Sequence, residues 1–228
     1  MNASSKSCRV RRLGRIDYAD ALRMQEGMVR LRREERIPDT LLLLEHPHVI
    51  THGSSAKKEH VLVDDGERAR LGIEQFETGR GGDVTYHGPG QLIGYPILAL
   101  RDEERDAHRY LRSLEELLIR TLAGYGLEAR RHDEHTGVWV GPAEVPAKIA
   151  AIGVRLSHWI TSHGFALNVS TELSYFETIV PCGIENLGVT SLQQELGTIP
   201  AMDEVEDRLI EQFGIVFERD MSEQRMQE

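Results

Sequence analysis

The chain has 228 residues, enough for one large domain with its own hydrophobic core. With 40% hydrophobic and 28% charged residues its composition is globular, which excludes collagen-like, coiled-coil and wholly disordered chains. The net charge of −10 argues against a nucleic-acid partner, and no apolar run approaches the roughly 18 residues of a membrane span, so no membrane is expected. Two cysteines are too few for a disulfide framework and predict reduced thiols in the cytoplasm.

Positive charge is concentrated near the N-terminus, where residues 1–36 contain ten basic and five acidic residues. On an otherwise acidic chain this indicates either a docking face for an acidic partner or the solvated side of a first helix. The arginines fall before that helix and near its end: Arg9, Arg11, Arg12, Arg15, then Arg30, Arg32, Arg33 and Arg36.

In chain order, the predicted elements begin with a short tail, 1–8, a strand over 9–13 and a helix over 18–36 with Asp17 as its N-cap. Short apolar segments bounded by Gly, Pro or His predict strands at 40–45, 49–51, 73–78, 84–86 and 92–98. A helix over 105–125, ending at Gly124 and Gly126, precedes strands at 138–140, 148–156 and 160–167. Helices over 191–196, capped by Thr190 or Ser191, and over 203–213 lead to a tail, 219–228. This order predicts one α+β (mixed α/β) domain, a mixed β-sheet sandwich with flanking helices.

Five glycines fall within residues 79–90, too many for a packed strand. Glycine permits positive φ and a close approach of a ligand to the backbone. The segment is neither a P-loop nor a dinucleotide fingerprint, because no Gly-Lys-Ser/Thr ends it and a strand, not a helix, follows. A simple hairpin turn is the alternative, but the interleaved polar side chains favour a ligand-facing wall formed by Arg80, Gly81, Gly82, Asp83, Val84, Thr85, Tyr86 and His87.

Two further residues are candidates for covalent chemistry. Lys148, the only lysine after Lys58, begins a run of small apolar residues; there it either extends to water or loses its hydration. Cys182, between Pro181 and Gly183, lies on a turn where its sulfur is reachable, although an isolated cysteine is more often inert filler. If the fold brings them together, the lysine can stabilise the thiolate or accept its proton.

Three histidines, His46, His48 and His52, have a spacing that could supply three zinc ligands. A substrate wall or loop is the favoured interpretation, and no metal site is predicted.

Four linked motifs resemble the lipoyl (octanoyl) transferase family. They are Arg80-Gly81-Gly82-x-x-Thr85-Tyr86-His87-x-x-Gly90-Gln91, Ala147-Lys148-Ile149, the stretch from His163 to Val169, and Pro181-Cys182-Gly183-Ile184. An earlier segment, from Glu45 to Gly53, also looks like a motif of that family and accounts for the histidines without a metal. The resemblance runs from about residue 13 to 217.

The resemblance implies a single catalytic domain over 1–228 with a fold like the catalytic domains of biotin and lipoate protein ligases. It implies Cys182 as the acyl-thioester nucleophile and Lys148 as its activator. It places the substrate along 80–87 and against two further groups: Ala151, Ile152 and Gly153, then Gly164, Phe165 and Ala166. Backbone N–H groups near Cys182 and at the Gly81–Gly82 turn would stabilise the oxyanion.

The implied donor is octanoyl-acyl carrier protein. The implied acceptors are lipoyl domains of 2-oxoacid dehydrogenase E2 subunits and the glycine cleavage H protein. No cofactor is implied, because transfer from thioester to thioester to amide is downhill without ATP. Two alternatives remain at this point: an ATP-dependent lipoate or biotin ligase of the same fold, which needs no nucleophilic thiol, and a non-catalytic lipoyl-domain binder.

Overall fold

The computed structural model describes residues 6–181 and 188–223. Its strands are β1 (Lys6–Arg15), β2 (Asp39–Glu45), β3 (Val49–His52), β4 (Glu74–Glu77), β5 (Val84–His87), β6 (Gln91–Ile97), β7 (Val138–Val140), β8 (Ala147–Ser157), β9 (Ile160–Asn168), β10 (Gly188–Val189) and β11 (Arg219–Glu223). The α-helices are α1 (Tyr18–Arg33), α2 (Asp65–Arg70), α3 (Ala107–Ala123), α4 (Leu192–Leu196) and α5 (Met202–Phe217). Strands and helices share one chain without strict alternation, which confirms the predicted mixed α+β class.

The strands form two mixed sheets. The larger has the order β10-β8-β9-β6-β2-β1-β11, with β7 also paired to β8. Its strand β1 runs parallel to both β2 and β11, whereas β2, β6, β9 and β8 are successively antiparallel. The smaller sheet has the order β4-β3-β5.

Strand β2 shows why the larger sheet is covered on both faces. Successive side chains of a strand point to opposite faces. Accordingly Leu41 and Leu43 enter the main core beneath α3 and α5, while Leu42 and Leu44 pack in a second cluster with residues of α1. All four leucines are at most 1% exposed, so their continuous apolar run marks a central strand rather than a surface one.

All nine predicted strands are confirmed, within a few residues at each end. The first helix ends at Arg33 rather than residue 36, and Asp17 occupies its N-cap position without a side-chain bond. Ser191 caps α4 by accepting a hydrogen bond from the Gln194 N–H. Helix α2 was not predicted, because its six residues contain no apolar periodicity.

The two predicted tails are wrong in part. Residues 6–8 already belong to β1, and β11 occupies 219–223, where a tail was expected. Cys8 is fully buried in the main core, where burial raises the pKa of its thiol to about 12. The sequence Arg-Asp-Met-Ser-Glu of β11 has no apolar alternation, so only its pairing with β1 makes it a strand.

A buried ion-pair cluster anchors β11. Asp39 accepts hydrogen bonds from Arg219 Nε at 2.9 Å and Arg32 Nε at 2.8 Å, and Arg219 also pairs with Glu104 at 2.8 Å. Both Asp39 and the Arg219 side chain are about 1% exposed, so each charge depends on the other for compensation. Arg32 therefore has a structural partner that the sequence alone does not reveal.

Within the described residues, none of the helices is both long and apolar enough to cross a membrane.

Candidate active site

A cavity of about 310 Å³ lies where the Gly-rich segment of the smaller sheet meets β8 and β9 of the larger one. Twelve of the residues predicted from the sequence line it: Arg80, Gly82, Asp83, Thr85, His87, Lys148, Ala151, Ile152, Gly153, Gly164, Phe165 and Ala166. Segments far apart in sequence thus converge on one chamber, whose wall combines backbone, polar side chains and apolar side chains.

Three predicted wall residues do not line the cavity. In β5, Thr85 and His87 face the chamber, whereas Val84 and Tyr86 point the other way, into a cluster around Ile50 and Phe176. The alternation of a strand is the reason. Gly81 is also absent from the wall: its N–H donates to the Val154 carbonyl at 2.8 Å and is engaged within the fold, whereas the oxyanion role of the Gly81–Gly82 turn stays a prediction.

Close backbone approaches explain the glycines of the wall. Gly82 has φ of +90°, a conformation that residues with a Cβ rarely adopt. A Cβ on Gly153 would lie 3.0 Å from the Gly81 carbonyl oxygen, and one on Gly164 would collide with the carbonyl of Gly94. The missing side chain of Gly153 therefore lets the Gly-rich segment lie against β8, and that of Gly164 lets β9 lie close to β6 within the larger sheet.

Arg80 fixes the Gly-rich segment to β3. Its Nη2 donates to the carbonyl and the hydroxyl of Thr51 at 2.6 and 2.9 Å, and the residue is 6% exposed. Its Nη1 also donates to the Gly81 carbonyl at 3.1 Å. The guanidinium thus combines a place in the cavity wall with a structural function.

Lys148 is also buried, at 6% exposure, which agrees with the desolvated alternative rather than with a side chain extended to water. Its Nζ lies 4.7 Å from the centroid of the Trp139 ring, a cation–π distance. Trp139 is its cross-strand neighbour on β7, and Val189 is its neighbour on β10. Strand pairing on both sides holds the lysine backbone at the chamber.

Cys182 lies outside the described residues, so its position relative to Lys148 stays a prediction. The described chain on either side does reach the site. Before it, the Val180 N–H donates to the carbonyl of His60, whose ring is hydrogen-bonded at 2.6 Å to Asp83 of the chamber wall. After it, Gly188 and Val189 pair with Ala147 and Lys148.

Three buried histidines lie in or behind the chamber wall: His87 and His163 line it, and the ring centroid of His46 lies 6.1 Å from that of His87. Desolvation lowers the pKa of His46 to about 4, of His87 to about 3 and of His163 to about 4. They are therefore neutral near pH 7. The zinc interpretation of His46, His48 and His52 fails on geometry, because these bond separately to Tyr95, Tyr86 and Gln75. Among the residues that the structure describes, no cluster of three His, Cys, Asp or Glu is arranged to hold a metal.

A hydrogen-bond chain sets the tautomer of His87. Asn168 Nδ2 donates to the Thr190 carbonyl, which leaves Asn168 Oδ1 to accept from Gln91 Nε2 at 2.9 Å. Gln91 Oε1 is then the acceptor for His87 Nδ1–H at 2.8 Å, and His87 Nε2 carries the lone pair. Since the Thr190 N–H donates to the Lys148 carbonyl at 3.0 Å, the chain connects two walls of the chamber.

Sequence reasoning missed seven residues of the wall. They are Tyr18, Ser55, Tyr95, Glu134, His135, Thr136 and His163. Tyr18 lies at the start of the predicted first helix, Tyr95 lies within the predicted strand 92–98, and His163 lies in one of the four motifs, but none of the three was selected as a site residue. The loop that carries Glu134, His135 and Thr136 shows no periodicity or motif, so no sequence signal marks it.

Known proteins resemble this chain over most of its length. Residues 17–214 match the family model described as the lipoyl protein ligase A/B catalytic domain. An octanoyltransferase of Solibacter usitatus is 55% identical over 216 residues, covering 95% of this chain and 96% of the relative. One from Rubrobacter xylanophilus is 56% identical over 207 residues, covering 90% of this chain and 91% of the relative.

Solved structures share the fold at lower identity. A bipartite lipoate protein ligase from Thermoplasma acidophilum superposes with a TM-score of 0.75 at 19% identity, over 98% of this chain and 88% of that one. A biotin protein ligase from Aquifex aeolicus superposes with a TM-score of 0.57 at 15% identity, over 92% and 70% of the two chains. These confirm the predicted likeness to biotin and lipoate ligase folds.

Proposed function

The chain belongs to the lipoyl protein ligase A/B catalytic-domain family, and we propose that within it this protein is an octanoyltransferase acting in protein lipoylation. Its acceptor is a lipoyl domain, to which it attaches the octanoyl group as an amide on a specific lysine. The proposed donor is octanoyl-acyl carrier protein. The proposed acceptor proteins are E2 subunits of 2-oxoacid dehydrogenases and the glycine cleavage H protein.

In the first half-reaction, the Cys182 thiolate attacks the carbonyl carbon of the donor thioester. The tetrahedral intermediate collapses with loss of the carrier thiolate, which takes up the proton that Lys148 received from Cys182. Octanoyl-Cys182 is the product. Thiolate formation beside an ammonium is favourable, and the burial of Lys148 at the chamber strengthens that charge interaction.

In the second half-reaction, the amine of the acceptor lysine attacks the octanoyl-Cys182 carbonyl. Lys148, now neutral, accepts a proton from the attacking nitrogen, the amide forms, and the Cys182 thiolate is expelled. The exchange of thioester for amide is downhill, so no nucleotide is consumed.

The chamber offers a place for each part of the acyl group. Ile152, Phe165 and Ala166 supply apolar wall for the alkyl chain. Gly82 and Gly153 present bare backbone in the same wall, with no side chain of their own to cover the thioester. Together with Lys148 in the same wall, this convergence is the observation that carries the proposal.

Intact-protein mass spectrometry after mixing with octanoyl carrier protein tests the covalent step. We expect an octanoyl adduct that hydroxylamine removes, present in wild type and in Cys8→Ala but absent from Cys182→Ala. An adduct of equal yield on Cys182→Ala would refute the acyl-cysteine mechanism. Product formed from octanoic acid and ATP, with no adduct from the carrier protein, would instead indicate an adenylating ligase.

A further inference from the structure

The buried carboxylate of Glu115 lies outside the chamber but binds a loop that forms part of the chamber wall. Glu115 of α3 is 1% exposed and lies on the buried, apolar side of its helix, next to Leu114 and Leu118. Its Oε2 accepts from Arg112 Nη1 at 2.7 Å and pairs with Arg131 Nε at 3.2 Å, while its Oε1 accepts from the Gly137 N–H at 3.2 Å. A buried carboxylate is rare in proteins unless it is paired, and here both oxygens of Glu115 have partners.

The partners of Glu115 are the two ends of one loop. Arg130 and Trp139 close the loop by exchanging backbone hydrogen bonds of 2.8 and 2.9 Å. Arg131 begins it and Gly137 ends it, and between them Glu134, His135 and Thr136 line the chamber. A single carboxylate thus fastens both ends of the segment that forms this part of the wall.

The fastened end touches Lys148. Gly137 has φ of +131°, and a Cβ built on it would lie 2.7 Å from the Ala150 carbonyl oxygen and 3.4 Å from Lys148 Cε. The Gly137 backbone therefore packs against the lysine side chain, whose ammonium lies over the Trp139 ring. Any shift of the loop end would change the space available to the lysine.

We propose that Glu115 is a positioning residue, which clasps the loop 131–137 at both ends and so holds Gly137 against the side chain of Lys148. The consequence for turnover rests on the acid–base role of Lys148 in the proposed function. Glu115 itself touches neither substrate nor reacting atoms. Supporting groups that lock a functional side chain in this way are required for its geometry to be productive.

The neighbouring Glu116 provides a matched control. It lies on the same helix and also pairs with Arg131, at 2.8 Å, and with Arg120, at 2.8 Å. It makes no bond to Gly137, and it is half-buried rather than buried. Glu115→Gln and Glu116→Gln therefore each remove one negative charge and one ion pair with Arg131 from adjacent positions of α3, but only the first alters the residue that binds Gly137.

The first readout is the chemical accessibility of Lys148 to an amine-acylating reagent, measured by peptide mass spectrometry. Exposed Lys57 and Lys58 normalise the reagent dose, and alkylation of the fully buried Cys8 thiol reports opening of the whole fold. We expect Lys148 to label about tenfold faster in Glu115→Gln with Cys8 unchanged, because only a local segment is released. Glu116→Gln should match wild type.

An unchanged labelling rate of Lys148 in Glu115→Gln would overturn the inference, because it would show that Glu115 does not hold the loop. An equal rise in the alkylation rate of Cys8 would also overturn it, because it would show a loss of global stability only. Gly137→Ala approaches the same contact from the other side and should also alter Lys148 labelling; a folded Gly137→Ala with wild-type labelling would equally contradict it.

The second readout is kinetic. Misplacement of an acid–base group lowers kcat by about tenfold to a hundredfold in Glu115→Gln, with KM for the carrier protein nearly unchanged. Faster labelling of Lys148 with wild-type kcat would leave the positioning intact and refute the role of Lys148 in the proposed chemistry. The two proposals can therefore fail separately.

Discussion

The Lys148 ammonium lies 4.7 Å from the centre of the Trp139 ring, and the two residues are direct partners in the pairing of β7 with β8. The ring provides a favourable surface for a cation without supplying an acceptor for its proton. Charge at this position and proton transfer from it can therefore be separated by substitution.

Lys148→Arg keeps a cation that stacks well on tryptophan, but a guanidinium does not lose its proton at working pH. If Lys148 transfers protons, kcat for octanoyl transfer should fall by about 10²–10⁴. Initial rates measured from about pH 6 to about pH 9 check this, with the exposed Lys57→Arg as the control. Wild-type rates across that range would leave only an electrostatic role.

Gly82→Val should abolish acylation while the fold persists, because the new side chain enters the chamber wall at φ of +90°. Gly72→Val is the control, since Gly72 also has a positive φ, +66°, but a Cβ there meets nothing within 4 Å and lies outside the chamber. Both variants should lose about 1–2 kcal/mol of stability from the backbone strain. Circular dichroism and adduct formation separate the effects; full acylation of folded Gly82→Val would place the thioester elsewhere.

Acid should destabilise the protein in a window set by its buried histidines. The folded pKa of His163, about 4, lies below its unfolded value near 6.5, so the unfolded chain binds protons that the native state does not. The stabilisation is complete above about pH 6.5 and is lost as the pH falls towards 4, by about 1–2 kcal/mol at pH 5.

Urea unfolding of wild type and His163→Gln at pH 7 and pH 5 measures this contribution. The variant should show a smaller loss between the two pH values than wild type, whereas exposed His108→Gln should not. An equal loss in all three proteins would mean that His163 does not contribute.

Arg30→Glu/Arg33→Glu tests whether the basic end of α1 docks the acidic carrier protein. Both residues are exposed, whereas Arg32 between them is bound to buried Asp39 and belongs to the fold. If the pair docks the carrier, the double reversal raises KM for octanoyl carrier protein and flattens the decline of kcat/KM between about 0.05 and 0.5 M salt.

Turnover of a small octanoyl thioester should remain at the wild-type level in that variant and serves as its control. Arg32→Gln should instead lower the unfolding free energy and leave the salt dependence unaltered, because it removes a partner of a buried carboxylate. A folded double variant with the wild-type salt slope would move the docking surface away from α1.

The pattern of apolar residues was sufficient to predict the central strands. A strand buried on one face has alternating apolar residues, and one buried on both faces has a continuous apolar run. The pattern also contained information that was not used: alternation in β5 separates Thr85 and His87 from Val84 and Tyr86, although the whole run had been assigned to the wall.

Other features depend on partners distant in sequence. Strand β11 exists through its ladder to β1, and the burial of Glu115 is balanced by Arg131 and the Gly137 N–H, both of which lie beyond the end of α3. No local pattern encodes such pairings. The same holds for Arg32, whose exposed appearance on a helical projection conceals its bond to Asp39.

The parallel pairing of β1 with β11 also has a consequence for the chain during its synthesis. Lys6 precedes its partner Arg219 by 213 residues, so this edge of β1 has no β11 to pair with while the chain between them is synthesised. Open strand edges are templates for association with other chains. Arg9 and Arg11 alternate with Cys8 and Val10 along β1, and charged side chains on an edge strand disfavour its pairing with other chains.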